Sequence, residues 1–120
     1  MDEKDLKTIN TIYHDINSVL SFCRDCKTLI DFQSDSMKVE ACVFNLMQIG
    51  ELAKTSLSDE AKRQMSSIPW KQIYGLRNRI VHEYFGVDLS MIWTVIKEDL
   101  PPLKNDIETF LVKKVQRTTV

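Results

Sequence analysis

Residues 68–88 read IPWKQIYGLRNRIVHEYFGVD. Pro69 suits the first turn of a helix, where its missing N–H would find no partner in any case. At about 100° per residue from Trp70 onward, Ile73, Leu76, Ile80 and Tyr84 fall on one line. Trp70, Tyr74 and Val81 widen that line into an apolar arc. The spacing predicts an amphipathic helix running to about Tyr84, with Gly86 as its terminator and Asp88 capping the element that follows. Arg77 lands inside the arc. A guanidinium on a core face is costly unless it snorkels to the edge or pairs with an acid such as Glu40 or Glu51. Asn78 and His82, four apart, share one flank, and Arg79 and Glu83 lie on the polar side as a solvated pair. Taken singly, His82 reads as a capping or satisfied histidine and Tyr84 as a core aromatic with a wet hydroxyl.

The helical period extends to both sides of this stretch. Leu6, Ile9, Tyr13, Ile16, Leu20, Cys23 and Ile30 step by threes and fours, with Lys27 as the one interruption, and predict a first helix of about seven turns. The run DFQSDS ends it and offers Asp35 or Ser36 as the next N-cap. Val39, Cys42, Val43, Leu46, Ile49, Ala53 and Leu57 mark a second helix. Gly50 shares that face at a cost of up to about 1 kcal/mol relative to alanine, which predicts a close helix–helix approach there. Ser58, followed by Asp59 and Glu60, caps a short third helix. Downstream, Leu89, Ile92, Trp93, Ile96 and Leu100 lead into Pro101 and Pro102. Leu103, Ile107, Phe110 and Leu111 continue the stripe, so the tandem proline predicts a bend and not an end. The final KKVQRTTV reads as a polar tail that frays. Without β-type alternation or repeats, the expectation is one all-α domain over residues 1–120, an up-down bundle of four to five helices with a Pro-kinked last helix.

Composition narrows the function. A net charge of −1 gives no global footprint for nucleic acid, so RNA would have to be handled by a local patch. The polar, acidic first ten residues lack the pattern of a signal peptide, and no apolar run approaches the roughly 18 residues of a membrane helix. The expectation is a cytoplasmic protein with no membrane association. Three cysteines make no disulfide framework. Cys23 and Cys26 have C-x-x-C spacing, but they lie in the helix seam with no second pair, which is poor support for a metal or redox role. Lys113, Lys114 and Arg117 read as a solvated helix terminus favoured by the dipole.

What stands out is a cation, an amide, an imidazole and a phenol at one helix end. Such a set suits an anionic phosphate with a proton to move. Arg77-Asn78-x-x-x-His82-x-Tyr84 resembles the R-x4-H-x-Y signature of the HEPN superfamily, in its HepT-like branch of ribonuclease toxins. The resemblance covers nearly the whole chain: EACVFNLMQIGELAKTSLS is similar to the branch's second helix, and IWTVIKEDLPPLK to its final helix with the Leu-Pro break. Ala41 departs from it, standing where many relatives carry arginine.

The resemblance implies a homodimer whose two motifs face a shared cleft, and metal-independent RNA cleavage with no cofactor. It also implies a cognate MNT-type nucleotidyltransferase antitoxin that neutralises the toxin by transferring AMP to the motif tyrosine, here Tyr84. Arg77 and His82 are the expected catalytic residues, with Asn78 and Arg79 in support. Arg77 would hold the scissile phosphate, and Asn78 would orient His82 or bond a phosphate oxygen. His14, the other histidine, has no motif around it, so supplying both a base and an acid favours two copies of His82 in one cleft. The competing expectation is a HEPN binding module that joins a nucleotidyltransferase and has weak or no RNase activity.

Overall fold

A computed structural model of the protein describes the backbone of residues 1–118 and the side chains of residues 1–114. Seven helices follow in chain order among them: α1 (Glu3–Phe22), α2 (Leu29–Gln33), α3 (Ser36–Thr55), α4 (Asp59–Gln64), α5 (Trp70–His82), α6 (Leu89–Thr94) and α7 (Leu100–Thr118). A 3-10 turn, Tyr84–Gly86, follows α5, and a π turn, Val95–Asp99, joins α6 to α7. No strand occurs among the described residues, and no helix among them is long and apolar enough to cross a membrane. The architecture is the expected all-α bundle. Its long elements are α1, α3, α5 and the α6–α7 run, while α2 and α4 are short inserts.

The α3 helix lies at the centre, packed between α1 and α5, and α7 closes against α1. Ile9, Ile12, Ile16 and Val19 of α1 meet Cys42, Val43, Leu46 and Ile49 of α3, all buried. Ile80, Ile92, Ile96 and Ile107 complete the core from the other helices. Two polar fastenings hold the bundle's ends. Ser58 donates to buried Asp5 through both its backbone N–H (2.9 Å) and its hydroxyl (2.7 Å), tying α1 to the start of α4. The Tyr13 hydroxyl donates to Glu108 Oε1 at 2.6 Å, tying α1 to α7.

The seven-turn first helix does not form. The α1 helix ends at Phe22, and the chain turns before α2. The turn is built by a reciprocal cap: Asp31 N–H donates to Thr28 Oγ1, and Thr28 N–H donates back to Asp31 Oδ2. Asp25 is drawn aside onto Lys38 Nζ at 2.6 Å. The turn exchanges one apolar residue for another. Ile30 points outward, whereas Phe32, within the run read as polar, is fully buried and stacks on Trp93 with centroids 5.5 Å apart. Cys23 and Cys26 accordingly lie within the connection between α1 and α2 and not along a continuous helix.

Other caps fall where the residue types placed them. Asp35, Ser58 and Asp88 each accept from a backbone N–H of the helix that follows. Pro69 is the N-cap of α5, one position before the first turn. The expected extension of α5 to Tyr84 is shortened: α5 stops at His82, and Gly86 N–H closes the 3-10 turn on Glu83 O without any positive φ. The tandem proline marks an irregularity in the last helix and not its end. Pro101 and Pro102 cannot donate to the carbonyls one turn back, and just before them Leu100 N–H reaches Val95 O, the wider spacing of a π turn. The backbone stays helical to Thr118, so most of KKVQRTTV is not a tail; the side chains of its last six residues lie outside the described ones.

Candidate functional site

The site begins with a glycine on α3. An added Cβ at Gly50 would sit 2.4 Å from Arg77 Cβ and 3.1 Å from the Ile73 carbonyl oxygen. Real Cβ atoms do not approach that closely, so α5 packs on α3 only because residue 50 has no side chain. The Tyr74 hydroxyl on the Ala53 carbonyl (3.4 Å) fixes the same pairing, with the two helices antiparallel. The close approach expected from Gly50 is therefore present, and it is made against the motif arginine.

Arg77 thus leaves α5 directly beside Glu51. Its Nε donates to Glu51 Oε2 at 2.7 Å, Nη2 lies 2.7 Å from the same oxygen, and Nη1 donates to Asn78 Oδ1 at 3.0 Å. Of the two acids considered as partners for this arginine, Glu51 fills the role. The pair is not sealed in the core: the Arg77 side chain keeps 23% of its exposure and that of Glu51 44%. Asn78 turns its oxygen to the arginine, and among the described residues it makes no hydrogen bond to His82.

His82 is the last residue of α5 and is exposed, with no hydrogen bond or ion pair among the described residues. Tyr84 does not join the core arc. The end of α5 two residues earlier swings it into the 3-10 turn, where it is 42% exposed. Its ring meets that of Phe85 edge to face, with centroids 5.3 Å apart. Phe85 stands wholly in solvent, at 101% relative exposure, and is the site feature the sequence reading missed. The only sequence signal was its position between the motif tyrosine and Gly86. Arg79 faces Glu83 at 4.0 Å, both half exposed, as the spacing predicts. His14 lies on α1 as an exposed side chain beside Asp15.

The apolar surface continues onto α3. Phe44 is 54% exposed and precedes Glu51 by two turns, so it shares that residue's face. In the antiparallel register it lies about 9 Å along α3 from Gly50, toward the end of α5. By this register Phe44 falls toward the same end of the α3–α5 pair as Val81, Tyr84 and Phe85, which gives the end of α5 an exposed apolar rim.

The cysteines are placed differently from their spacing. Cys23 Sγ lies 3.5 Å from Cys42 Sγ on α3, while Cys26 approaches Lys38 Nζ at 3.5 Å. The hydrogen bond with Cys42 brings the Cys23 thiol below its ordinary value, and burial pushes that of Cys26 up. All three are free and buried, and among the described residues no three His, Cys, Asp or Glu side chains converge as metal ligands would. Lys113 and Lys114 line a polar hollow with Gln64, Ser67 and Asp106; the Arg117 side chain lies outside the described residues.

Residues 11–110 match the family model described as ribonuclease HepT-like. A protein of Methanocaldococcus jannaschii that carries a provisional RNase name is 32% identical over 109 residues, spanning 90% of this chain and 98% of its own. One from Caldanaerobacter subterraneus subsp. tengcongensis, named in the same way, is 38% identical over 84 residues, 70% of this chain and 74% of its own. A protein of Thermococcus cleftensis, provisionally named ribonuclease HepT, is 37% identical over 78 residues, 65% of this chain and 70% of its own. Comparison with solved structures finds no match.

Proposed function

Because this chain belongs to the ribonuclease HepT-like family, we propose that it is a metal-independent endoribonuclease and the toxin of a toxin–antitoxin pair. The observation that carries this reading is the end of α5, where a partly open Arg77 guanidinium lies on the same helix as an exposed, unencumbered His82 among the described residues. Cutting RNA without metal needs a base for the 2′-hydroxyl and an acid for the departing 5′-oxygen. The 2′-oxygen then bonds to phosphorus as the P–O5′ bond breaks, leaving a 2′,3′-cyclic phosphate and a 5′-hydroxyl. One imidazole takes the first proton and another supplies the second, help worth about 10²–10⁴-fold. Arg77 holds the phosphate oxygens as charge builds on them.

Two His82 side chains in one cleft require a homodimer. The exposed rim of Phe44, Val81, Tyr84 and Phe85 supports that assembly, since it places apolar surface beside the site. Tyr84 is the proposed acceptor of AMP from a cognate MNT-type nucleotidyltransferase. Its phenolic oxygen attacks the α-phosphorus of ATP, its proton is lost and pyrophosphate leaves. The adenylate then adds an anion and a bulky base where substrate phosphate belongs. The exposure of Tyr84 favours this role over a core aromatic.

The test is incubation of purified protein with RNA, with and without EDTA, followed by analysis of the termini. Cleavage that survives chelation, with 5′-hydroxyl and cyclic or linear 3′-phosphate ends, is the expected result. Absence of cleavage by wild-type protein would transfer the reading to a binding module for the nucleotidyltransferase.

A further inference from the structure

We propose that Glu51 is a positioning residue for Arg77, fixing the guanidinium so that its remaining donors face the scissile phosphate. The proposal deepens the ribonuclease reading and rests on it. A guanidinium carries five N–H donors in a rigid plane. Here Nε and Nη2 both lie 2.7 Å from Glu51 Oε2, and Nη1 donates to Asn78 Oδ1 at 3.0 Å. Those three contacts, to two acceptor oxygens, leave two donors, one on each terminal nitrogen, and the side chain stays partly open to solvent. A plane held along one edge and one corner cannot rotate, so the free N–H groups keep a fixed direction. Two such donors match two oxygens of a phosphate.

Glu51 and Gly50 act as a unit. Gly50 lets the Arg77 backbone come within contact of α3, and the next residue supplies the carboxylate that catches the side chain. Were the ion pair only a means of joining α3 to α5, its solvent exposure would make it a weak one, since exposed pairs contribute about 0–1 kcal/mol. Its geometry is better suited to orientation than to stability. The opposite reading of the same contact is that Glu51 sequesters Arg77 from RNA. Positioning and sequestration predict changes of activity in opposite directions.

Three variants, Glu51→Gln, Glu51→Asp and Glu51→Ala, are compared with wild type by RNA cleavage kinetics and thermal melting. The expected pattern for Glu51→Ala is a kcat reduced at least tenfold, with KM changed less than threefold and a melting temperature close to wild type. Glu51→Gln, which keeps an acceptor oxygen, should recover part of the loss, and Glu51→Asp, one methylene short, should recover less. A second readout does not depend on cleavage: the Arg77 Nε–Hε resonance, assigned by its disappearance in Arg77→Lys. It should shift on adding 2′-O-methyl RNA to wild type, and that shift should be lost in Glu51→Ala. Wild-type activity in Glu51→Ala, or activity above it, would overturn the proposal, as would an unchanged RNA-induced shift. A wild-type protein that binds the methylated RNA but cuts no RNA would sink the ribonuclease reading alone, with the resonance still deciding the role of Glu51.

Discussion

Charge placement at single residues decides both the site and the margins of stability. Arg77→Lys keeps the cation and helical propensity but replaces a planar fork with a single ammonium. It cannot hold Glu51 and Asn78 while presenting two directed donors to a phosphate. Cleavage should fall at least a hundredfold, with little change in the circular dichroism melt. His82→Ala should abolish cleavage with an equally small effect on folding, because His82 is exposed and joins nothing among the described residues. Wild-type rates in that variant would remove the imidazole from the mechanism. Asp15 is a different case. It is 6% exposed, and its Oδ2 has no hydrogen-bond partner among the described residues. Burial raises this carboxyl above its ordinary 3.8, with His14 partly offsetting the rise. A raised acid penalises the folded state wherever it is ionised, so stability should increase as pH falls through the raised value toward 3.8. Asp15→Asn should stabilise the protein at neutral pH by on the order of 1 kcal/mol and remove that increase, read by urea unfolding at several pH values. Asp5 works in the other sense. Burial pushes it up, but its hydrogen bonds with Ser58 bring it below 3.8 overall, so its contribution persists above 3.8 and is lost on further acidification.

At the level of helices, two glycines separate packing from propensity. Gly75 lies exposed within α5, and nothing stands within 4 Å of where its Cβ would be. Gly75→Ala should therefore gain close to the intrinsic difference, about 0.5–1 kcal/mol, seen as a higher melting temperature. Gly50→Ala gains the same propensity but places a methyl 2.4 Å from Arg77 Cβ. Overpacking of this kind costs about 1–3 kcal/mol, so packing wins and the net change should be destabilising. Cleavage should fall with it, because α5 must move away from Glu51. The caps, the close approach at Gly50 and the continuation of the helix through the tandem proline were legible in the sequence because each depends on residue type at a fixed local position. The break after Phe22 was harder to read. Leu6 to Ile30 keeps a helical period through the turn, and the period outweighed the Thr28–Asp31 capping box that ends it. The core position of Phe32 follows from its meeting with Trp93, sixty-one residues on, which no local pattern encodes. Arg77, His82 and Tyr84 stand out in the sequence by their spacing, but the choice of Glu51 over Glu40 needed the register between α3 and α5. Tyr84 was misplaced into the core because its line of residues continued past the point where α5 stops.

For the whole molecule, the question is what covers the apolar rim. Phe85 at 101% exposure and Val81 and Tyr84 at 42% each lie within three residues of His82 in sequence, and the α3–α5 register sets Phe44, at 54%, toward the same end of the bundle. Fully burying one large apolar side chain is worth roughly 1.5–3 kcal/mol. A two-fold axis through this corner would bury each exposed aromatic twice and bring the two copies of α5 together, since a two-fold interface uses the same patch on both protomers. The expected outcome in light scattering at micromolar concentration is a species of twice the 14.0 kDa chain mass. Phe85→Asp combined with Phe44→Asp should return it to a monomer without unfolding it, because both side chains are already in solvent in the single chain. Activity is the sharper readout. If one cleft needs two imidazoles, the monomeric double variant should lose cleavage although Arg77, His82 and Glu51 are all intact. Mixing an excess of His82→Ala protein with wild type should then lower activity faster than dilution alone, because mixed dimers carry one imidazole and not two. A monomeric variant that cleaves at the wild-type rate would mean that one chain holds the whole site, and the acid opposite His82 would have to be sought elsewhere in the same bundle.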